Sequence, residues 1–459
     1  MADASSGMMT IVRPTATRIT RLIVFVAAFT VGCSGSNGSA PATASTTVTA
    51  GATSTASQAL RGEHVHVLGL WSGPEFESFG AVKSAWEKET GAIVDWEATD
   101  DLPGALAGHM QAGDPPDIAI LPNLALMEQL ADEGTLIPLD SVLDMNDVAR
   151  DYAPAWIQLG SHGGKLYGIF YKVTNKAAVW YNPKAFAAAG YTVPATWNEM
   201  LTLADRMVAD GHSPFSVVAA SGPASGWALT DWISEIVLNN CGPDLYDKWI
   251  ASEIPWNDAC IKRSFDLFAK IVSTDGYVLG GSQRIVATGD DVAADPLYTN
   301  PPTAYMCYLA SFAEAFIAAT YPNLEPGADY DVFTFPTINP EYRGAVTVGA
   351  DVPVMVSDTP AGRSFMTYLA SARAQETWIK LGGFTSVNRS VSADTYLDPV
   401  ARTVAEELTR AEVSRFSAGD MMPTSLQRAW WGAMLELVKD PSVVDSILDR
   451  LTAAARSAR

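Results

Sequence analysis

From residue 64 onward, short apolar runs of strand length alternate with segments whose apolar residues recur at helical spacing. This alternation constrains the chain more than any other feature. Strand, helix and strand close most simply as a βαβ unit, and repeated units build a mainly parallel sheet covered by helices. Residues 64–70 alternate and then turn apolar, as a strand entering a core does. Over 75–90, Phe76, Phe79, Val82 and Trp86 fall on one helical face, and Gly91 stops the helix. Strands are predicted at 93–97 and 118–121, with helices at 102–112 and 124–133. Further strands are expected at 166–169, 177–181, 215–219, 304–309, 331–335, 345–348 and 354–356. Helices are expected at 183–189, 198–210 behind a Thr196 cap, 227–238, 312–319 and 361–381, and through most of the chain beyond 399. The fold class read from this is α/β.

The length of 459 residues, 48% of them hydrophobic, suggests two or three domains. The formal net charge is −21, with Lys and Arg scattered singly. Such a surface repels phosphate backbones, so no nucleic-acid partner is expected.

Arg13, Arg18 and Arg21 precede an apolar run of 11 residues, Leu22 to Gly32. That is too short to span a bilayer but suits the core of a signal peptide. The run ends at Cys33, and small residues before a Cys resemble a bacterial lipobox. Two readings follow: lipid attachment at Cys33, or ordinary secretory cleavage beside an incidental Cys. Residues 1–32 are read as a lipoprotein-type signal. Residues 33–61, rich in Ser, Thr and Ala, are read as a flexible tether that cannot offset its ordering entropy. Removing residues 1–32 takes away three Arg and one Asp, so 27 basic and 50 acidic residues remain, a net of −23. Cys241, Cys260 and Cys307 then allow one disulfide and one free thiol, and their spacing does not say which pair forms.

Six stretches carry a family resemblance, in the family's order: WEKETG at 86–91, AGDPPDIA at 112–119, EGTLIPLD at 133–140, GKLYG at 164–168, VWYN at 179–182 and GYTVPATW at 190–197. Together they resemble bacterial extracellular solute-binding proteins of the maltose-binding type, nearest to the α-glucoside-binding lipoproteins of ABC importers. The resemblance covers roughly residues 64–455. It implies two α/β lobes joined by crossing strands, with a ligand cleft between them at the carboxyl ends of strands and hinge closure around the ligand. It places the crossings near 171–175 and 309–312. The lobes are expected at 62–172 with 312–350, and at 173–311 with 351–459. It further implies a carbohydrate ligand, ABC permease subunits as partners, a membrane association through Cys33 on the extracytoplasmic face, a monomer, no cofactor and no enzymatic activity.

A sugar offers hydroxyls that need donors and acceptors, and C–H faces that lie on aromatic rings. Trp71, Ser72 and Glu75 end the first strand, in a loop that supplies polar contacts in the resembled family. Trp71 could equally be a core aromatic, and Glu75 a charge at a helix N-terminus. Asp117 is read as a capping or turn residue. Leu121 stands where the family has an aromatic, which leaves Asn123 as the candidate there. Lys172 on the first crossing is either a ligand contact or a partner for cleft carboxylates. Asn175 stands where the family carries an acidic contact, and its amide still offers a donor and an acceptor. Trp227 and Asp231 are four apart and share one helical face, a ring beside a carboxylate. Phe312, Asp351 and Phe384 complete the candidates, with Trp430, which matches a stacking Trp in the family. Trp430 and Trp431 point about 100° apart on a helix, so one faces the cleft and the other the core.

No G-x-S-x-G or H-E-x-x-H motif is present. His64 and His66 can share a strand face, but no third ligand lies nearby in sequence, so no metal site is expected. The alternatives are a binder of a non-sugar solute with the same fold and, behind it, a secreted glycosidase.

Overall fold

The structure is a computed structural model and describes residues 60–458 except 412. Cys33, the expected signal segment and nearly all of the expected tether lie outside the described residues.

The chain runs through β1 (His64–Gly69), α1 (Gly73–Thr90), β2 (Ile93–Ala98), α2 (Leu102–Ala112), β3 (Ile118–Leu121) and α3 (Leu124–Asp132). After an irregular stretch come β4 (Lys172–Asn175), β5 (Ala178–Tyr181), β6 (Ser213–Ser216), α4 (Trp227–Cys241), β7 (Ala304–Tyr308) and α5 (Ala313–Thr320). The last part contains β8 (Asp331–Thr334), β9 (Ala345–Met355), α6 (Pro360–Ala370), α7 (Ala372–Ile379), β10 (Val413–Phe416), α8 (Thr424–Lys439) and α9 (Val444–Ser457). No helix among the described residues is long and apolar enough to cross a membrane.

The strands form two main sheets, one per lobe. The first runs β10-β9-β3-β1-β2, with β4 also paired to β9. Its βαβ core is parallel, since β1 pairs in parallel with both β2 and β3. The second runs β8-β5-β7-β6. The expected strands at 345–348 and 354–356 are one strand of 11 residues. This strand β9 pairs with β10, then β4, then β3 along its length.

The predicted helix caps form where the local chemistry calls for them. In α1, Phe79, Val82 and Trp86 are buried, and Gly91 ends the helix at φ 75° with its N–H on the Glu87 carbonyl. Phe76 departs from the expected buried stripe. It is 37% exposed and stacks on Trp96 at 6.2 Å. Thr196 and Glu199 form a reciprocal capping box at the start of residues 197–209.

The lobe boundaries differ from those expected after the second crossing. Strand β8 lies in the second sheet, antiparallel to β5, rather than with the first lobe. Helices α6 and α7 pack on β1 and α1 of the first lobe, although residues beyond 351 were expected in the second. The reason is that a strand joins the lobe that pairs its edge, and such pairing is set by distant residues. Helices α8 and α9 pack on each other and α8 also on α4, in the second lobe.

Cys241 and Cys260 form the disulfide. Cys307 is free and buried, and burial pushes its thiol up to about 12.

Candidate functional site

Two chain segments run side by side between the sheets. The first links β4 to β5. The second follows β7: the Leu309 N–H donates to the Ala178 carbonyl at 3.3 Å and the Ser311 N–H to the Asn175 carbonyl at 2.9 Å. Polar side chains gather around these crossings because strands of both sheets end or change direction there.

Lys172 is 1% exposed. Its ammonium bonds to Glu75 at the start of α1 and lies 3.5 Å from Asp351 Oδ2 on β9. It also lies over the rings of Phe312, at 5.4 Å, and Trp378, at 5.6 Å. Burial lowers the ammonium's pKa, but Glu75 and Asp351 more than reverse this and the net shift is upward. Lys172 therefore stays charged.

Lys176, one residue past β4, repeats the motif on the second lobe. Its Nζ lies 3.0 Å from Asp231 Oδ1 and 2.7 Å from Asp420 Oδ2. Asp231 also accepts from the Ser417 hydroxyl at 2.7 Å. The half-buried Trp227 ring lies 5.8 Å from Lys176 Nζ and 6.0 Å from Phe312. Burial pushes Asp420 up to about 6, with Asp231 adding to the shift and Lys176 opposing it. A side chain at Gly349 is impossible without rearrangement: its Cβ would stand 2.5 Å from Lys176 Cε and 3.1 Å from Thr174 Oγ1.

Further carboxylates meet here. Burial pushes Asp290 up to about 6, helped by Glu75, Asp291 and Asp100. The Arg428 guanidinium on α8 pairs with Asp101 at 2.7 Å, an ion pair between lobes.

The structure thus brings together Trp71, Glu75, Lys172, Trp227, Asp231, Phe312 and Asp351. Trp71 takes the core role: its ring is buried in the first lobe, stacked on Trp96 at 5.3 Å, and its indole N–H donates to Asp351. Ser72 is exposed at the start of α1 and makes no side-chain capping bond.

Four candidates are placed otherwise. Trp430 is fully buried, edge-on to Trp249 and Trp256, because the apolar face of α8 turns it inward. Trp431 is the half-buried member of the pair, and its backbone packs against Gly226 beside Trp227. Phe384 lies in the first core between Tyr171 and Trp378. Asn123 spends its carbonyl capping α3, on the Leu126 N–H at 2.8 Å, and its amide faces the Met422 carbonyl at 3.5 Å. Asn175 is fully buried. Its carbonyl accepts from Ala177 N–H and its amide donates to Glu407, so it fixes the crossing itself. Asp117 is structural as expected, accepting from the His66 N–H and the Thr359 hydroxyl.

Sequence reasoning missed Lys176, Ser417 and Asp420. The available signal was a second lysine at the crossing, four residues after Lys172 and next to a strand too apolar to leave it unpaired.

Two lobes with a charged, aromatic-edged junction at their crossing strands define the class of two-lobe solute-binding proteins. Residues 71–376 match the model of the bacterial extracellular solute-binding protein family. The chain belongs to that family. It is 34% identical to the osmoprotective compounds-binding protein GgtB of Synechocystis, over 82% of this chain and 89% of the relative. It is 32% identical to the alpha-glucosides-binding periplasmic protein AglE of Rhizobium meliloti, over 84% and 86%. Among solved structures it resembles the solute receptor AcbH, described as preferring β-D-galactopyranose, with a TM-score of 0.76 and 19% identity over 86% of this chain and 99% of that one. That likeness extends to the fold.

Proposed function

We propose that this protein is the substrate-binding component of an ABC importer that captures a carbohydrate, an α-glucoside or other oligosaccharide, outside the cytoplasmic membrane. On this reading it is a binder and not an enzyme. It is held at the extracytoplasmic face through a lipid on Cys33, and it hands its ligand to permease subunits after the lobes close. The observation that carries the reading is the pairing of half-buried rings, Trp227 and Phe312, with two lysine–carboxylate clusters at the lobe junction. Rings take a sugar's C–H face, and fixed ammonium and carboxylate groups take its hydroxyls. Trp71, Ser72, Glu75, Lys172, Trp227, Asp231, Phe312 and Asp351 are the residues proposed to border the ligand. The relative named as a binder of alpha-glucosides supports a carbohydrate as the ligand class.

The test is a thermal-shift screen of the purified protein against mono- to tetrasaccharides. A neutral glucoside should raise the melting temperature by mass action and remain unconsumed. No shift across the panel would reject the sugar reading. Stabilisation by a small cationic solute alone would favour a non-sugar binder with the same fold, while turnover of the sugar would favour an enzyme.

A further inference from the structure

Away from the lobe junction, three side chains from different elements converge on the first lobe. In β1, His64, His66 and Leu68 share one face. The parallel register sets Asp95 beside His66 and Glu97 beside Leu68 on β2. Helix α2 lies over this face, with Leu102 and Leu106 buried. His109 follows three residues after Leu106, on the same helical face, and so descends onto the strands. The result is a carboxylate between two imidazoles. Glu97 Oε2 lies 3.1 Å from His66 Nε2 and 3.1 Å from His109 Nε2, and the rings meet nearly perpendicularly at 5.1 Å. The ligand-competent atoms of all three residues lie within 4.8 Å of one another.

We propose that His66, Glu97 and His109 form a binding site for one divalent transition-metal ion of the zinc type. Two imidazole nitrogens and one carboxylate oxygen are the donor set such ions select, leaving a fourth position for water. Donors about 2.1 Å from a tetrahedral ion stand about 3.4 Å apart, close to the spacings found here. The side chains are 28%, 41% and 23% exposed, which leaves an approach from solvent. Coordination uses the Nε2 lone pairs, so each neutral ring moves its proton to Nδ1 with no net release. A ring that begins as imidazolium gives one proton to solvent. Because β2 is the edge strand of its sheet, the ion ties α2 across β1 to that edge. This site is independent of the sugar reading.

The experiment is a Zn²⁺ titration of the metal-stripped full chain by calorimetry, with Co²⁺ as the spectroscopic probe. One equivalent should bind, give tetrahedral cobalt absorption and raise the melting temperature. His109→Ala and His66→Ala should each weaken zinc binding more than about tenfold, a loss that even outer-shell changes reach, and abolish the thermal gain. Glu97→Gln, which keeps the side-chain shape, should also weaken it. Failure of the wild-type chain to take up stoichiometric zinc would overturn the proposal. So would several weak sites that survive in all three variants, the signature of scattered surface carboxylates. Sugar-induced thermal shifts in zinc-free buffer should be equal in wild type and variants, so the two readings fail separately.

Discussion

The indole N–H of Trp71 donates to Oδ2 of Asp351 at 2.8 Å, joining the end of the first strand to a residue 280 positions later. The same carboxylate oxygen lies 3.5 Å from Lys172 Nζ. Core aromatic, carboxylate and crossing lysine are thus one linked unit, on the turn after β1, on β9 and on β4.

Breaking that unit at the lysine should be costly. Lys172→Met leaves Glu75 and Asp351 facing each other without the cation between them. A loss of about 3 kcal/mol is expected in urea melts at neutral pH, within the range for removing one member of a buried pair. A loss below about 1 kcal/mol would mean that the pair behaves as a surface contact.

The two classes of tryptophan should separate by assay. Trp227→Ala should weaken glucoside binding by roughly tenfold, the value of a ring face, with little loss of stability. Trp430→Ala should cost about 3–5 kcal/mol by opening a cavity in the second core, while the protein that remains folded binds with unchanged affinity. Fluorescence titration beside thermal melts distinguishes the two. The reverse pattern would place Trp430 against the ligand.

Glu235 gives a pH-dependent prediction. It is fully buried, and burial raises its pKa to about 7, against hydrogen bonds from Thr347 and Asn239 that favour the anion. A folded pKa above the ordinary 4.5 means that the native state holds the proton longer. Its stabilising contribution is therefore complete below about pH 4.5 and lost as pH rises through about 7. The full swing is about 3 kcal/mol. Stability measured from pH 5 to 8 should fall more steeply for the wild type than for Glu235→Gln. Parallel curves would show that Glu235 does not titrate in this window.

The disulfide spans 19 positions between Cys241 and Cys260 and so constrains the unfolded chain over a short loop. Reduction should cost about 3 kcal/mol on the chain-entropy estimate, read as a lower denaturation midpoint in dithiothreitol. Cys307 should resist thiol reagents until the protein unfolds, since its thiol is both buried and pushed far above neutral pH.

Much of the fold was legible in the sequence because burial imposes periodicity. Phe79, Val82 and Trp86 repeat at helical spacing, and Gly91 closes their helix with the conformation glycine permits. Strand β8 was assigned to the wrong lobe because no local pattern tells an edge which neighbour it will meet. At the lobe junction, the convergence of Trp71, Glu75, Lys172 and Asp351 was legible in their places at strand ends and on the crossing. Asn123 and Asn175 also lie at a strand end and on the crossing, but their amides are consumed by nearby backbone and side-chain groups, which only coordinates reveal. Trp430 and Trp431 have the same composition and adjacent positions, and the choice between them belongs to the packing of α8. The convergence of His66, Glu97 and His109 depends on the β1–β2 register and the descent of α2, so three unremarkable letters hid it.

Gly349 on β9 leaves room for the charged end of Lys176, whose Cε would stand 2.5 Å from any Cβ there. Adding a single carbon at position 349 would push that terminus aside and disturb its simultaneous reach to Asp231 and Asp420.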